Sequence, residues 1–116
     1  MTPSAIPAAH GAPVLSPTQL AMFRNQLDEQ VRFRTSQLRR LREQAQHHAG
    51  GSDEIEQSLT TAARAALRDL THALQRLADG TYGWCIDCGD RLPIERLEVV
   101  PQVARCLSCQ REAELG

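Results

Sequence analysis

Two long segments of the chain carry apolar residues at the spacing of one helix face. Both stripes advance in steps of three, four or seven residues, as an amphipathic α-helix requires. The first stripe consists of Leu20, Phe23, Leu27, Val31, Leu38, Leu41 and Ala45. The second consists of Ile55, Leu59, Ala63, Ala66, Leu70, Leu74 and Leu77, with Leu67 beside it. Each helix has one apolar stripe, so the pattern predicts an antiparallel hairpin that buries the stripes against each other.

Local signals mark the ends of these helices. Ser16 is a good N-cap, Pro17 suits the first helical position, and Gln19 can complete a capping box. Gly50 and Gly51 interrupt the periodicity between the two stripes, and Gly80 follows the second stripe as a C-terminal glycine. The hairpin is therefore expected over residues 17–79, with an acidic tip near 52–58. The tip sequence provides Asp53, Glu54 and Glu56.

The Pro- and Ala-rich residues 1–16 are predicted to form a disordered tail, because they offer too little periodic apolar surface to offset the entropy of ordering. They lack the basic and apolar regions of a signal peptide, and no segment is apolar enough to span a membrane. We therefore expect a cytoplasmic protein. In that reducing compartment, cysteines favour metal binding over disulfide formation.

The four cysteines follow the pattern C-x2-C, 17 residues, C-x2-C at Cys85, Cys88, Cys106 and Cys109. Two such loops can supply the tetrahedral sulfur shell that zinc prefers, so one structural Zn²⁺ is predicted. Gly89 permits a positive φ directly behind Cys88. With all four positions filled, a catalytic zinc is disfavoured. Two disulfides, a thioredoxin-like redox pair and an iron–sulfur cluster remain as alternatives.

Residues 80–116 are expected to form a zinc module that depends on its metal for stability, because it is too small to fold on burial alone. The loop 91–105 is consistent with a short turn or two strands. We expect one apolar patch from Leu92, Ile94, Leu97 and Val99, followed by a short C-terminal helix. Arg91, Arg96 and Arg105 are close enough in sequence to offset the charge of four thiolates.

The formal net charge is −1, and every basic residue is arginine. This balance argues against general polyanion binding. Residues 80–116 hold six acids and four arginines, which is unfavourable for phosphate binding. The chain also contains no nucleophile beside a base and no phosphate-cradling glycine loop, so enzyme activity is not predicted.

Residues 73–110 resemble the zinc-finger signature of the DksA/TraR family of bacterial transcription regulators. Beyond the four cysteines, the matching elements are Gly80, Tyr82, Gly83, Gly89, the Arg96–Leu97 pair and Pro101. The resemblance implies a mainly α fold in which a long helical hairpin precedes a small four-cysteine zinc-finger module. It further implies direct binding to RNA polymerase, insertion of the hairpin into the secondary channel, and a zinc module that braces the hairpin base.

The family's tip pairs two aspartates three residues apart with an alanine two positions further on. Here the counterparts are Asp53, Glu56 and Ser58, and Glu54 joins them as a candidate partner-binding residue. Asp53 and Glu56 also form a capping box for the second helix, which explains both acids without a partner. The resemblance leaves open whether ppGpp acts with the protein, and we expect a monomer without membrane association or sequence-specific DNA binding. The alternatives are a nucleic-acid-binding zinc ribbon and a scaffold or dimerisation hairpin without polymerase activity.

Overall fold

The computed structural model describes residues 14–47 and 54–115. The predicted tail up to residue 13, the two glycines of the turn and Asp53 lie outside the described residues. The helices are α1 (Pro17–His47), α2 (Glu54–Asp79), α3 (Ile94–Val99) and α4 (Leu107–Leu115). Helices α1 and α2 pack along each other, with Leu20 near Leu77 at one end and Ala45 near Gln57 at the other. The predicted mainly α fold with an antiparallel hairpin is confirmed.

The start of α1 is capped as the sequence predicts. The Gln19 backbone N–H donates to Ser16 Oγ at 3.1 Å, and the Ser16 N–H donates to Gln19 Oε1 at 2.8 Å. Pro17 begins the helix. This reciprocal pair satisfies two backbone donors that the helix itself leaves without partners.

The core lies at the end of the hairpin where the cysteine module joins it. Phe23, Leu27, Leu70 and Leu97 are the largest fully buried side chains. Phe23 of α1 also packs against Tyr82 of the module, with ring centroids 5.7 Å apart and planes tilted by 46°. Helices and module therefore share a single core.

Two residues of the predicted second stripe are not buried. Ile55 is 71% exposed and Leu59 is 46% exposed, whereas Ala63 is fully buried. Four residues advance a helix by about 40° beyond one full turn, so the successive steps of four from 55 to 63 carry the stripe around the helix surface. The first turns of α2 consequently present apolar side chains to solvent.

The loop between the two cysteine pairs forms a helix rather than strands. After Pro93, the N–H groups of Arg96 and Leu97 donate to the Pro93 carbonyl at 3.0 and 3.2 Å, and α3 begins at Ile94. Leu92 and Leu97 are buried as expected, but Val99 is 80% exposed because it lies on the outer side of this short helix. The bridge between Trp84 and Arg91 is isolated, and no described residue belongs to a longer strand.

Candidate metal centre and hairpin tip

The four predicted cysteines come together at one point. Their Sγ atoms all lie within 4.8 Å of one another, and the Sγ atoms of Cys88 and Cys106 are 3.8 Å apart. Four sulfurs at the usual zinc–sulfur bond length would be separated by about 3.8 Å in a regular tetrahedron. The donor set and its spacing therefore fit one zinc ion.

Backbone geometry in each cysteine pair aims the sulfurs inward. In the first pair, Gly89 has a φ of +79°, and its N–H donates to the Cys85 carbonyl at 3.0 Å. In the second pair, the Cys109 N–H points at Cys106 Sγ, 3.4 Å away, at the start of α4. The Ile86 N–H also donates to the Ala104 carbonyl at 2.9 Å and joins the two pairs.

The crowded thiols differ in proton affinity. Burial would raise the pKa of the Cys85 thiol, but backbone donors at Cys88, Cys106 and Asp87 outweigh burial and lower that pKa to about 6. The pKa of Cys109 is raised, first because its thiol shares a hydrogen bond with the Cys106 thiol. Thiolates so close together repel one another, and a divalent cation removes this repulsion by binding all of them.

The predicted counter-charges occupy different places. Arg105 lies beside the cluster, where its Nε donates to Asp87 Oδ2 at 2.6 Å. This hydrogen bond and the negative charge of Asp87 raise the pKa of Arg105, and the Cys85 and Cys109 sulfurs add smaller contributions when they are ionised. Arg91 instead stacks on the Trp84 ring, 4.5 Å from its centroid.

The module is joined to the hairpin through the last turn of α2. The Gly80 N–H donates to the Leu77 carbonyl and the Thr81 N–H donates to the Arg76 carbonyl, while Gly80 adopts a φ of +80°. These two bonds form a Schellman motif, as expected for a glycine directly after a helix. The Arg76 guanidinium also reaches the carbonyls of Gln102 and Val103 at 3.3 and 3.5 Å.

A buried tyrosine completes this joint. The Tyr82 hydroxyl donates to the Pro101 carbonyl at 2.8 Å, so residues 19 positions apart are bound together inside the core. On the other side, Leu15 packs against Gly83, where an added Cβ would lie 3.1 Å from Leu15 Cδ1. Sequence analysis missed the bracing roles of Leu15 and Arg76, because both depend on contacts between distant segments.

The structure describes three of the four predicted tip residues, all of them in the first turns of α2. Glu54 and Ser58 are exposed, and Glu56 is half-buried in the first turn of α2. Asp53 lies outside the described residues. A partner-binding role for these four residues therefore stays a prediction. Among the described residues, no helix combines the length and apolarity needed to cross a membrane.

Residues 80–115 match the model of the prokaryotic dksA/traR C4-type zinc finger. This match and the cysteine geometry confirm the prediction of one structural zinc. Two curated relatives bear on the rest of the chain. General stress protein 16O of Bacillus subtilis is 37% identical over 59 residues, covering 51% of this chain and 36% of that protein. The RNA polymerase-binding transcription factor DksA of Caulobacter vibrioides is 25% identical over 114 residues. This match covers 88% of this chain and 80% of the Caulobacter protein.

Among solved structures, transcription factor DksA2 from Pseudomonas aeruginosa superposes with a TM-score of 0.74 at 24% identity, covering 85% of both chains. This likeness extends over the hairpin as well as the module and establishes the fold. The expected resemblance is thus confirmed in both parts of the molecule. Residues 80–115 match the dksA/traR C4-type zinc finger, and the hairpin and module together have the fold of the DksA2 structure.

Proposed function

We propose that this protein regulates transcription by binding RNA polymerase directly, with the helical hairpin inserted into the secondary channel of the enzyme. The Caulobacter vibrioides relative, matched over 88% of this chain, is an RNA polymerase-binding transcription factor. The zinc-finger match gives independent support from the C-terminal third of the chain.

The shape of the molecule is the observation that carries this proposal. The protein measures 63 × 35 × 21 Å, and its shared core gathers where the zinc module meets the helices. An arm of two packed helices is narrow enough to enter a channel that excludes a globular domain. Anchoring at one end leaves the opposite end available to a partner.

The four cysteines would hold zinc as a brace for the base of this arm. Cys85 is 3% exposed and belongs to the same core as Phe23 of α1. The Cys85 N–H donates to the Asp90 carbonyl at 2.7 Å, so its position is fixed by its own loop as well as by the core. A bound ion would therefore stabilise both cysteine pairs and the joint to α2.

At the opposite end, Asp53, Glu54, Glu56 and Ser58 would act on the polymerase near its active site. The carboxylates could interact with the metal-binding and basic surroundings of the catalytic centre, where complementary charge gives specificity. Glu54 and Ser58 are exposed and lie four residues apart along α2.

The experiment that tests this function combines binding to purified bacterial RNA polymerase with transcription from a ribosomal-type promoter. The parent protein should bind the enzyme and change the transcript yield. Asp53→Asn/Glu56→Gln should still bind but lose the effect on transcription, because both side chains keep their size while their charge is removed.

The matched control is Glu98→Gln/Glu112→Gln, which removes two exposed carboxylates from α3 and α4. This control should regulate like the parent. If the parent protein does not bind polymerase at micromolar concentration, the proposed function is wrong. If the doubly substituted tip regulates as well as the parent, the tip has no role in the mechanism.

A further inference from the structure

The distal part of the hairpin has a groove on one side, between α1 and α2. Its α1 wall consists of Leu38, Leu41, Arg42 and Ala45, and the groove has a volume of about 420 Å³. These residues follow the spacing i, i+3, i+4, i+7, so they form one continuous strip of the helix surface. We call this feature the arginine groove.

The opposite wall has the same spacing but different chemistry. It consists of Gln57, Thr60, Thr61 and Arg64 of α2. Two guanidinium groups and two hydroxyls can donate hydrogen bonds, and none of the described residues that line the groove is acidic. The lining therefore complements oxyanions.

The two arginines of the groove are available for a partner. Within the ranges 14–47 and 54–115, neither Arg42 nor Arg64 forms an ion pair or a side-chain hydrogen bond, and both are exposed. In contrast, Arg105 is paired with Asp87 and Arg68 lies 3.8 Å from Asp69. Guanidinium groups bind carboxylates through two parallel hydrogen bonds, which makes unpaired arginines good anchors for acidic side chains.

Charge along the arm favours an acidic partner. Residues 32–47 and 54–68 contain seven arginines and three glutamates, a net charge of +4, whereas residues 80–115 contain four arginines and six acids, a net charge of −2. A positive distal arm attracts an acidic surface over several ångströms before contact. The positive charge is thus concentrated on the part of the arm that lies behind the acidic tip.

The groove favours a protein segment over a nucleic acid. None of the lining residues that the structure describes is aromatic, so this part of the groove offers no platform on which the bases of a single strand could stack. Leu41 is 8% exposed and Leu38 is half-buried, which gives the groove an apolar floor between the two arginines. Such a floor accepts an apolar side chain, while the arginines accept flanking carboxylates.

We infer that the arginine groove docks an acidic segment of the polymerase, with carboxylates bound by Arg42 and Arg64 and an apolar side chain against Leu38 and Leu41. This inference rests on the proposed function and names a second contact besides the tip. The contact holds the side of the arm, so it contributes to binding affinity, whereas the tip acts on transcription.

The test measures the dissociation constant for purified RNA polymerase of the variants Arg42→Glu and Arg64→Glu. Each reversal places a carboxylate opposite the acidic segment and should weaken binding about tenfold or more. Arginine and glutamate have similar helix propensities, so helicity by circular dichroism should stay near that of the parent. If a reversed variant loses helicity, Arg42→Gln and Arg64→Gln provide milder substitutions with the same expected direction.

Arg40→Glu is the matched control. Arg40 is exposed on the same helix, two residues before Arg42 and therefore about 200° around the helix axis. Its reversal changes the net charge by the same amount and should alter the dissociation constant by less than about twofold if the groove is specific. A photo-crosslinking residue at position 61, in place of the exposed Thr61, should attach to an acid-rich peptide of the polymerase.

The possible outcomes separate this inference from the proposed function. If the parent protein does not bind polymerase, both fail. If the parent binds and the two groove variants bind like Arg40→Glu, the inference alone is overturned. It is also overturned if Arg64→Glu abolishes binding to a single-stranded nucleic acid or breaks a dimer seen by light scattering, since the occupant is then a nucleic acid or a second copy of the chain.

Discussion

Replacing Tyr82 with phenylalanine isolates one hydrogen bond inside the joint between hairpin and module. Tyr82 is 5% exposed, and its hydroxyl donates to the Pro101 carbonyl at 2.8 Å. Phenylalanine keeps the ring that packs against Phe23. The change therefore leaves packing intact and deprives a buried carbonyl of its donor.

The expected cost follows from that unpaired carbonyl. A buried polar group without a partner costs about 1–3 kcal/mol. With a value of about 2 kcal/mol, a domain of roughly 100 residues should lose about 10 °C in melting temperature. The zinc-loaded protein should show this loss in thermal or urea unfolding followed by circular dichroism.

A second readout comes from alkaline pH. Burial raises the pKa of Tyr82 above its usual value of 10, although the nearby Arg76 opposes the shift. In the unfolded chain the phenol ionises near pH 10, while in the folded protein it stays neutral. The neutral Tyr82 phenol therefore makes its full contribution to the free energy of unfolding below pH 10. This contribution is lost as the pH rises further. Tyr82→Phe should show a shallower loss of stability above pH 10 than the parent.

Thr71→Val is the matched control for this experiment. It removes an exposed hydroxyl that donates to the Leu67 carbonyl at 2.8 Å, where water can replace the lost donor. This variant should lower the free energy of unfolding by less than about 0.5 kcal/mol. If Tyr82→Phe is as stable as Thr71→Val, the buried hydrogen bond does not fasten the module, and our account of the joint is refuted.

Two further predictions concern the same end of the molecule. The purified, reduced protein should contain one zinc ion per chain by metal analysis. A strong chelator should lower the melting temperature, because metal binding stabilises a small module of this kind. An unchanged melting curve after complete zinc removal would contradict the stabilising role of the metal. Gly83→Ala should cost about 1–3 kcal/mol in urea unfolding, since Gly83 has a φ of +92° and an added Cβ would press on Leu15 at 3.1 Å. Gly80→Ala should lower the free energy of unfolding by less, because Gly80 has a φ of +80° but open space around it. If Gly80→Ala is instead the more destabilising of the two variants, crowding against Leu15 does not explain the cost at Gly83.

Local signals in the sequence predicted much of this architecture. The Ser16 and Gln19 cap, the C-terminal Gly80 and the positive φ of Gly89 each depend on residues within one turn of the chain, and all three are confirmed. The cysteine spacing predicted the metal centre for a similar reason, since each C-x2-C loop forms locally.

Features that depend on distant contacts were predicted poorly. The exposure of Ile55 and Leu59 follows from a slow drift of the stripe around α2, which steps of three and four alone do not reveal. Helix α3 was expected as a turn or strands, because its six residues show too little periodicity to identify. Arg76 reaches carbonyls 26 and 27 residues away, a contact that no local pattern encodes.

The uneven distribution of buried side chains has a consequence for local unfolding. Phe23, Leu27, Leu70 and Ala73 are fully buried beside the module. In the described part of α1 beyond residue 28, Leu41 is the sole buried side chain. Local opening costs less free energy where fewer apolar contacts must break. Amide hydrogens near Leu41 should therefore exchange with solvent sooner than those near Leu27, so the part of α1 that adjoins the module should open last.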